Sequence, residues 1–171
     1  MKYHLLENGD LLLTSLEPSL RAKIEERFSA LLLQKKGTLQ PHLVPQCPSD
    51  PEFREYWEEF GAPEIDHLLN AHHQQTLADL SQGANNTSSF LTELSPQETL
   101  VIPKEHYLSW LRVLNMARIS LAIEYNFGEE ELSSHQFSLS QLGSLERQEA
   151  FLLLQFFTIL QQFLVELEEE K

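Results

Sequence analysis

Glu64 and His67 are the two residues whose types and spacing come closest to a recognisable chemical site. They form a Glu-x-x-His pattern, which places a carboxylate and an imidazole on one helix face, as in di-iron and di-manganese proteins. Such sites need a second pattern of this kind, and the nearest one fails because Glu131 and His135 are one residue too far apart. Our leading prediction is a protein with no metal and no cofactor. The alternative is a metal-binding protein or metal-dependent enzyme, with Glu64 and His67 as candidate ligands.

The remaining histidines and the single cysteine predict structural roles. His72 and His73 are adjacent, so on a helix they point about 100° apart and cannot easily share one metal. His73 is expected to be a half-buried, hydrogen-bonded histidine. Cys47 lies between Gln46 and Pro48, without the cationic neighbour that activates a thiol. We predict no catalytic residue.

One apolar segment carries a recurring set of polar and aromatic side chains. Its members are Trp110, Arg112, Asn115 and Arg118. Arg118 falls within an apolar helical stripe, and a buried guanidinium needs an acidic partner, so we expect it to contact Asp66 or Asp79. The set predicts a buried polar cluster that fixes helix register; the alternative is a site for an anion or a partner's carboxylate.

Turn and cap signals divide the chain into one hairpin and five helices within a single domain, residues 1–171. Asn8 and Gly9 favour a type I′ hairpin turn, and Gly61 is predicted to end a helix. The run from Thr99 to Ile102 could add a third strand. The predicted elements are a hairpin over 1–14 and helices over 18–36, 51–60, 63–81, 103–125 and 144–169.

Composition predicts a mainly α fold of about five helices with a small N-terminal β-hairpin or three-stranded sheet. Leucine outnumbers isoleucine and valine together by 33 to 10, and β-branched residues are the ones that favour strands. The helix over 144–169 is apolar around most of its circumference. Either other helices enclose it, or a second molecule covers part of it.

The net charge of −14 excludes several classes of partner. An acidic surface is repelled by duplex DNA and by anionic membranes, so we expect no nucleic acid and no membrane. The N-terminus has no signal-peptide pattern, and the uncharged stretch over 150–165 is shorter than a spanning helix. A lone cysteine suits a reducing compartment, and together these features predict a cytoplasmic protein.

The segment from Trp110 to Leu121 resembles a bacterial domain of unknown function (DUF2017), whose members carry the pattern W-L-R-x-L-N-D-x-R-L-x-L. The matching positions are Trp110, Leu111, Arg112, Leu114, Asn115, Arg118 and Leu121. Met116 stands where the family usually has aspartate. Element order extends the resemblance over residues 10–127, and the helix over 144–169 looks like an addition to the family's shorter form.

The resemblance implies a small, cytosolic, mostly α protein with no assigned activity. Members of the family often lie beside the gene for an adaptor of the Clp protease, which implies an accessory role in protein turnover. Some relatives are labelled transcriptional regulators, a role that the charge of this chain disfavours. The leading prediction is a non-catalytic interaction or regulatory protein, with a protein partner or a homodimer formed through the helix over 144–169.

Overall fold

The computed structural model describes residues 1–33, 50–82, 98–133 and 138–169. The strands are β1 (Lys2–Leu5), β2 (Leu11–Thr14) and β3 (Leu100–Ile102). The helices are α1 (Pro18–Leu33), α2 (Pro51–Tyr56), α3 (Ala62–Gln82), α4 (Tyr107–Glu124), α5 (Glu129–Ser133) and α6 (Leu145–Glu169), with a π-helical turn (Trp57–Gly61) and 3-10 turns at Lys104–His106 and Leu139–Leu142. The mainly α prediction with a small N-terminal sheet is confirmed.

The three strands form an antiparallel sheet in the order β1-β2-β3. Leu12 lies opposite Val101, and all four residues of β2 are buried. The hairpin turn differs from the predicted type I′, because among the described turn residues only Gly9 has a positive φ, of 86°. The Gly9 N–H donates to the Leu6 carbonyl at 2.8 Å, and the Leu6 N–H donates to the Asp10 carbonyl at 2.9 Å. These bonds define a three-residue loop that ends in a left-handed glycine.

Tyr107 joins this hairpin to the first turn of α4. Its hydroxyl donates to the Gly9 carbonyl at 2.7 Å, and the ring is almost fully buried. Burial raises the pKa of the Tyr107 hydroxyl to about 12, with smaller contributions from the charges of Asp10 and Glu168. The hydroxyl therefore stays protonated and holds the turn at any ordinary pH.

The core is built around α4, which packs against α1, α3 and α6. Its inward face is fully buried and consists of Trp110, Val113, Leu114, Ala117 and Leu121. The ring of Phe28 on α1 lies 5.8 Å from that of Trp110 and 5.6 Å from that of Phe157 on α6. Aromatic contacts of this kind tie three helices together at one point.

Residues 51–82 are helical without interruption, so the prediction that Gly61 ends a helix is wrong. The Ala62 N–H donates to the Trp57 carbonyl, five residues earlier, which is the bond of a π turn. A Cβ on Gly61 would lie 2.5 Å from the Trp57 ring. Glycine is needed here because the indole packs against the backbone, and Pro63 follows where the widened turn already changes the hydrogen-bonding pattern.

The other predicted helices are found with shifted ends. The helix predicted over 18–36 is described as far as residue 33, and residues 34–36 lie outside the described residues, as does Cys47. The helix predicted over 103–125 starts as a 3-10 turn and stops before Asn126, whose φ is 48°. Ser144 caps α6, with its hydroxyl accepting from the Arg147 N–H at 3.2 Å.

Arg21 on α1 holds together elements that are distant in the sequence. Its guanidinium donates to the Thr99 carbonyl at 2.7 Å and also to the Leu80 carbonyl, and its Nε pairs with Glu25 at 3.1 Å. Leu80 lies near the end of α3, where a cation offsets the helix dipole. This contact joins α1 to the C-terminus of α3 and to the start of β3.

Helix α6 lies half inside this core and half at the surface. Its buried residues are Ala150, Phe151, Leu153, Leu154, Phe157, Leu160 and Leu164. By length and composition alone it would qualify as a membrane span, alone among the described helices, and 44% of its most apolar window is buried in the fold. A core helix of a globular domain passes the same test, since both are apolar over several turns.

Candidate functional site

The interface between α3 and α4 contains hydrogen-bonded polar side chains, which we call the polar seam. Its members are His72, Gln75, Asp79, His106, Ser109, Trp110 and Arg112. Helix α3 on one side, and the 3-10 turn at Lys104–His106 with α4 on the other, supply these residues in antiparallel order, so the contacts run along the interface rather than converging on one point. The seam can therefore fix how far one helix is shifted against the other.

Asp79 is the central acceptor of the polar seam. Asp79 is 6% exposed, and its carboxylate accepts a hydrogen bond from the Trp110 Nε1–H at 2.9 Å. Both carboxylate oxygens lie 3.0 Å from His106 Nδ1. Because an ionised carboxylate only accepts, Nδ1 must carry the proton. The Gln75 Nε2 atom lies 3.3 Å from the same His106 Nδ1 but cannot donate to it while Nδ1 carries the proton, so Asp79 is the residue that ties His106 to α3.

His72 and Ser109 form a serine–histidine pair whose proton arrangement opposes catalysis. Arg112 Nη1 lies 2.6 Å from His72 Nε2, and a guanidinium can only donate, so Nε2 is the acceptor. The His72 proton is then on Nδ1, which donates to the Ser109 hydroxyl at 2.8 Å. Burial, and secondly the charge of Arg112, lower the pKa of His72. The imidazole is neutral, and it cannot remove the serine proton because Nδ1 already carries one.

His73 is buried more completely than the sequence predicted. It is 2% exposed, and its Nδ1 donates to the Leu69 carbonyl at 3.1 Å. Nε2 is buried without a hydrogen-bond partner among the described residues. Burial lowers the pKa of His73, the bond to the Leu69 carbonyl partly opposes this, and the neighbouring His72 lowers it further. His73 is therefore a neutral core residue.

The predicted cluster of Trp110, Arg112, Asn115 and Arg118 is divided by the structure. Trp110 and Arg112 belong to the polar seam, whereas Asn115 is exposed. Arg118 Nη1 donates to the side-chain carbonyl of Gln161 on α6, and its Nε is buried without a partner among the described residues.

The expectation that Arg118 pairs with Asp66 or Asp79 is wrong. Asp79 is occupied by Trp110 and His106, and Asp66 is exposed. Burial lowers the pKa of the Arg118 guanidinium, and an amide of α6 takes the place of the expected carboxylate.

Glu64 and His67 lie in the exposed part of α3. The described residues contain no group of three or more histidine, cysteine, aspartate or glutamate side chains placed to hold a metal ion. The nearby His72 and His73 are engaged with Ser109 and with the Leu69 carbonyl, respectively.

A surface cleft of about 410 Å³ lies between α1, α4 and α6. Lys23 pairs with Glu149 at 2.7 Å, and Arg27 pairs with Glu124 at 2.5 Å, so both cations in its lining are neutralised. Burial and the nearby acids raise the pKa of Tyr125, which borders the same cleft. The paired charges tie the three helices together at the surface.

Among the described residues, two helical segments expose apolar side chains, in contrast to the paired polar groups. The outer face of α6 comprises the exposed Leu145, Leu152 and Ile159 together with the half-buried Phe156 and Phe163, and Phe156 also packs against the core. The aromatic arm, residues 51–68, exposes Phe53, Tyr56, Phe60 and Leu68.

Sequence reasoning did not find the Asp79–Trp110–His106 contact or the aromatic arm. The sequence held part of the signal for the arm, since Phe53, Tyr56 and Phe60 have helical spacing; their exposure is known only from the structure. The choice of Asp79 as partner of Trp110 depends on how two helices cross, which periodicity along one chain does not encode.

The model of the family described as Domain of unknown function (DUF2017) matches residues 10–167. The chain belongs to this family. The match includes α6, so the expectation that the helix over 144–169 is an addition to the family's form is wrong. No curated protein and no solved structure matches the chain.

Proposed function

We propose that the chain is a non-catalytic interaction or regulatory protein of the cytoplasm that self-associates through the outer face of α6. The observation that carries this proposal is the exposure of Leu152 and Ile159, each 53% exposed in the middle of a long helix. A soluble domain rarely leaves a continuous apolar stripe open unless something covers it. Each such side chain that becomes buried contributes about 1.5–3 kcal/mol.

The spacing of the outer face supports a helix as the covering partner. Leu152, Phe156, Ile159 and Phe163 alternate in steps of four and three residues, which is the a/d pattern of paired helices. Tyr3 extends this surface at one end, with its ring 4.2 Å from that of Phe163.

The charge distribution favours a second copy of the same chain as that partner. The chain carries −14 overall, yet residues 150–165 contain no charged side chain. Glutamines at 148, 155 and 162 flank the stripe, so two copies can approach here without bringing carboxylates together. Elsewhere the acidic surface opposes self-association.

The geometry of the polar groups supports a function without catalysis. The Asp79–His106 pair joins two helices, and the proton on His72 Nδ1 keeps Ser109 from being activated. The metal alternative at Glu64 and His67 has a direct test. Stoichiometric iron, manganese or zinc in protein purified without added metal would overturn the non-catalytic proposal.

The experiment for self-association is light scattering coupled to gel filtration at two protein concentrations. The native chain is expected to show a dimer mass at the higher concentration, and Leu152→Glu with Ile159→Glu is expected to show a monomer. Leu108→Glu on α4, at 54% exposure, is the matched control and should leave the dimer intact. A monomeric native chain, or a dimer that survives both α6 substitutions, would refute the proposed interface.

The accessory role in Clp-type proteolysis extends this proposal through the family resemblance. It is tested by direct binding between the purified chain and a purified Clp adaptor, with the α6 double variant as comparison. Binding would support an accessory role in that system. No binding at protein concentrations well above those at which the dimer forms would refute it.

A further inference from the structure

The aromatic arm, residues 51–68, has the properties of a binding surface distinct from the outer face of α6. Phe53 and Tyr56 are each 64% exposed and Phe60 is 53% exposed. Their spacing of three and four residues puts them on one side of the helical stretch, and the rings of Tyr56 and Phe60 lie 5.1 Å apart. Three neighbouring aromatic side chains are therefore held open to solvent on a regular scaffold.

The arm contributes little to the core of the described fold. None of its described side chains is buried, and the first buried residue of the stretch is His73. At about 1.5 Å per residue, its 18 residues extend over roughly 27 Å. Because none of the aromatic side chains on this length is needed to fill the core, its aromatic composition needs another explanation than core packing.

The rim of the arm is strongly acidic. Its exposed carboxylates are Glu55, Glu58, Glu59, Glu64 and Asp66, and none forms an ion pair within the described residues. Arg54 is the single lysine or arginine on the arm. The surface thus combines an apolar aromatic stripe with a negative border.

We infer that the aromatic arm binds a basic amphipathic helix of another protein. Apolar residues of that helix would cover Phe53, Tyr56 and Phe60, and its lysines or arginines would face the carboxylates and the aromatic rings. A second copy of this chain fits the arm poorly, since two arms brought together would place five unpaired carboxylates against five others. The inference is independent of self-association through α6.

The test uses the full chain and a fluorescent designed peptide of roughly 18 residues, with leucines and lysines at helical spacing. Fluorescence anisotropy is expected to show binding that weakens as NaCl rises from about 50 to about 500 mM. Phe53→Ala with Phe60→Ala should weaken binding at least tenfold, and Glu55→Gln with Glu59→Gln should weaken binding and reduce its salt dependence. A peptide with the same composition but without helical spacing is the matched ligand control.

Leu108→Ala removes a comparably exposed apolar side chain from α4, away from both proposed binding surfaces, and should leave peptide affinity unchanged. Equal binding by the native chain and the Phe53/Phe60 variant would show attraction to net charge alone and overturn the inference. The inference is also overturned if the native chain does not bind the peptide, or if the two phenylalanine substitutions change the oligomeric mass. Circular dichroism of each variant verifies that the helical fold is retained.

Discussion

Residues 51–68 and residues 72–82 belong to one uninterrupted helical stretch, yet they have opposite surroundings. The first part, the aromatic arm, contains Trp57, Asp66 and His67 with little burial. The second part packs on α4 and contains buried His73 and Asp79. Chemically similar residues therefore occur in both settings on the same helix. The comparison shows that helix formation follows local sequence, whereas burial and hydrogen bonding depend on which helix lies opposite.

The largest expected effect distinguishes two aspartates on this stretch. Asp79→Ala leaves the buried Trp110 Nε1–H and His106 without their acceptor, and should reduce the free energy of unfolding by about 3 kcal/mol. Asp66→Ala in the exposed part should change it by less than about 0.5 kcal/mol. Urea denaturation followed by tryptophan fluorescence measures both. Equal losses would mean that the polar seam does not distinguish the two parts.

The second prediction concerns pH and compares two histidines. The folded pKa of His73 is lowered below the ordinary value of 6.5, so below that value the unfolded chain binds more protons than the folded chain. The His73 contribution to stability is therefore complete above pH 6.5 and is lost as pH falls toward the folded pKa.

Thermal denaturation between about pH 7.5 and 5 checks this sign. The fall in Tm of the native chain should be smaller in His73→Met, because that variant has no buried imidazole to protonate. His67→Met, in the exposed part, is the control and should retain the native fall. A His73→Met variant with the full native fall would assign the pH dependence to other groups.

A smaller effect is expected at Arg118, where two arginines can be compared. Arg118 has an amide partner and a buried Nε without one, so Arg118→Met should change the free energy of unfolding by no more than about 1 kcal/mol. Arg21 donates to two distant carbonyls, and Arg21→Met should cost about 2–3 kcal/mol. A loss at Arg118 as large as that at Arg21 would contradict the conclusion that the Gln161 amide is its main partner.

The smallest expected effect is on the arm itself. Phe53→Ala removes an exposed side chain and should change the free energy of unfolding by less than about 0.5 kcal/mol. Phe28→Ala, at a fully buried position between Trp110 and Phe157, is the contrasting case and should cost about 3–5 kcal/mol. A large loss at Phe53 would show that the arm is part of the core.

Local signals in the sequence predicted most of the elements. Asn8 and Gly9 located the hairpin, Pro18 and Pro51 marked helix starts, and Thr99 to Ile102 contained the third strand. Gly61 was misinterpreted because glycine serves two purposes. It ends helices by adopting positive φ, and it also makes room for a large neighbour, here the Trp57 ring.

The side-chain partners could not be predicted in the same way. The stripe on α4 indicated that Arg118 is partly buried, but the choice of Gln161 over an aspartate depends on how α6 crosses α4. The sequence likewise left open whether α6 is enclosed or exposed, and the structure has seven buried residues on one side and a partly open stripe, with Leu145, Leu152 and Ile159 exposed, on the other. Such choices are made between elements and leave no periodic pattern along the chain.

The position of β2 in the middle of the sheet has a consequence for protein synthesis. Its partner β3 is supplied by residues 100–102, which leave the ribosome only after α1, α2 and α3 have been made. Until then the leucines at positions 11–13 have β1 on one side and an unpaired strand edge on the other. The growing chain is therefore expected to complete its sheet late, and to be most prone to aggregation in the interval before β3 emerges.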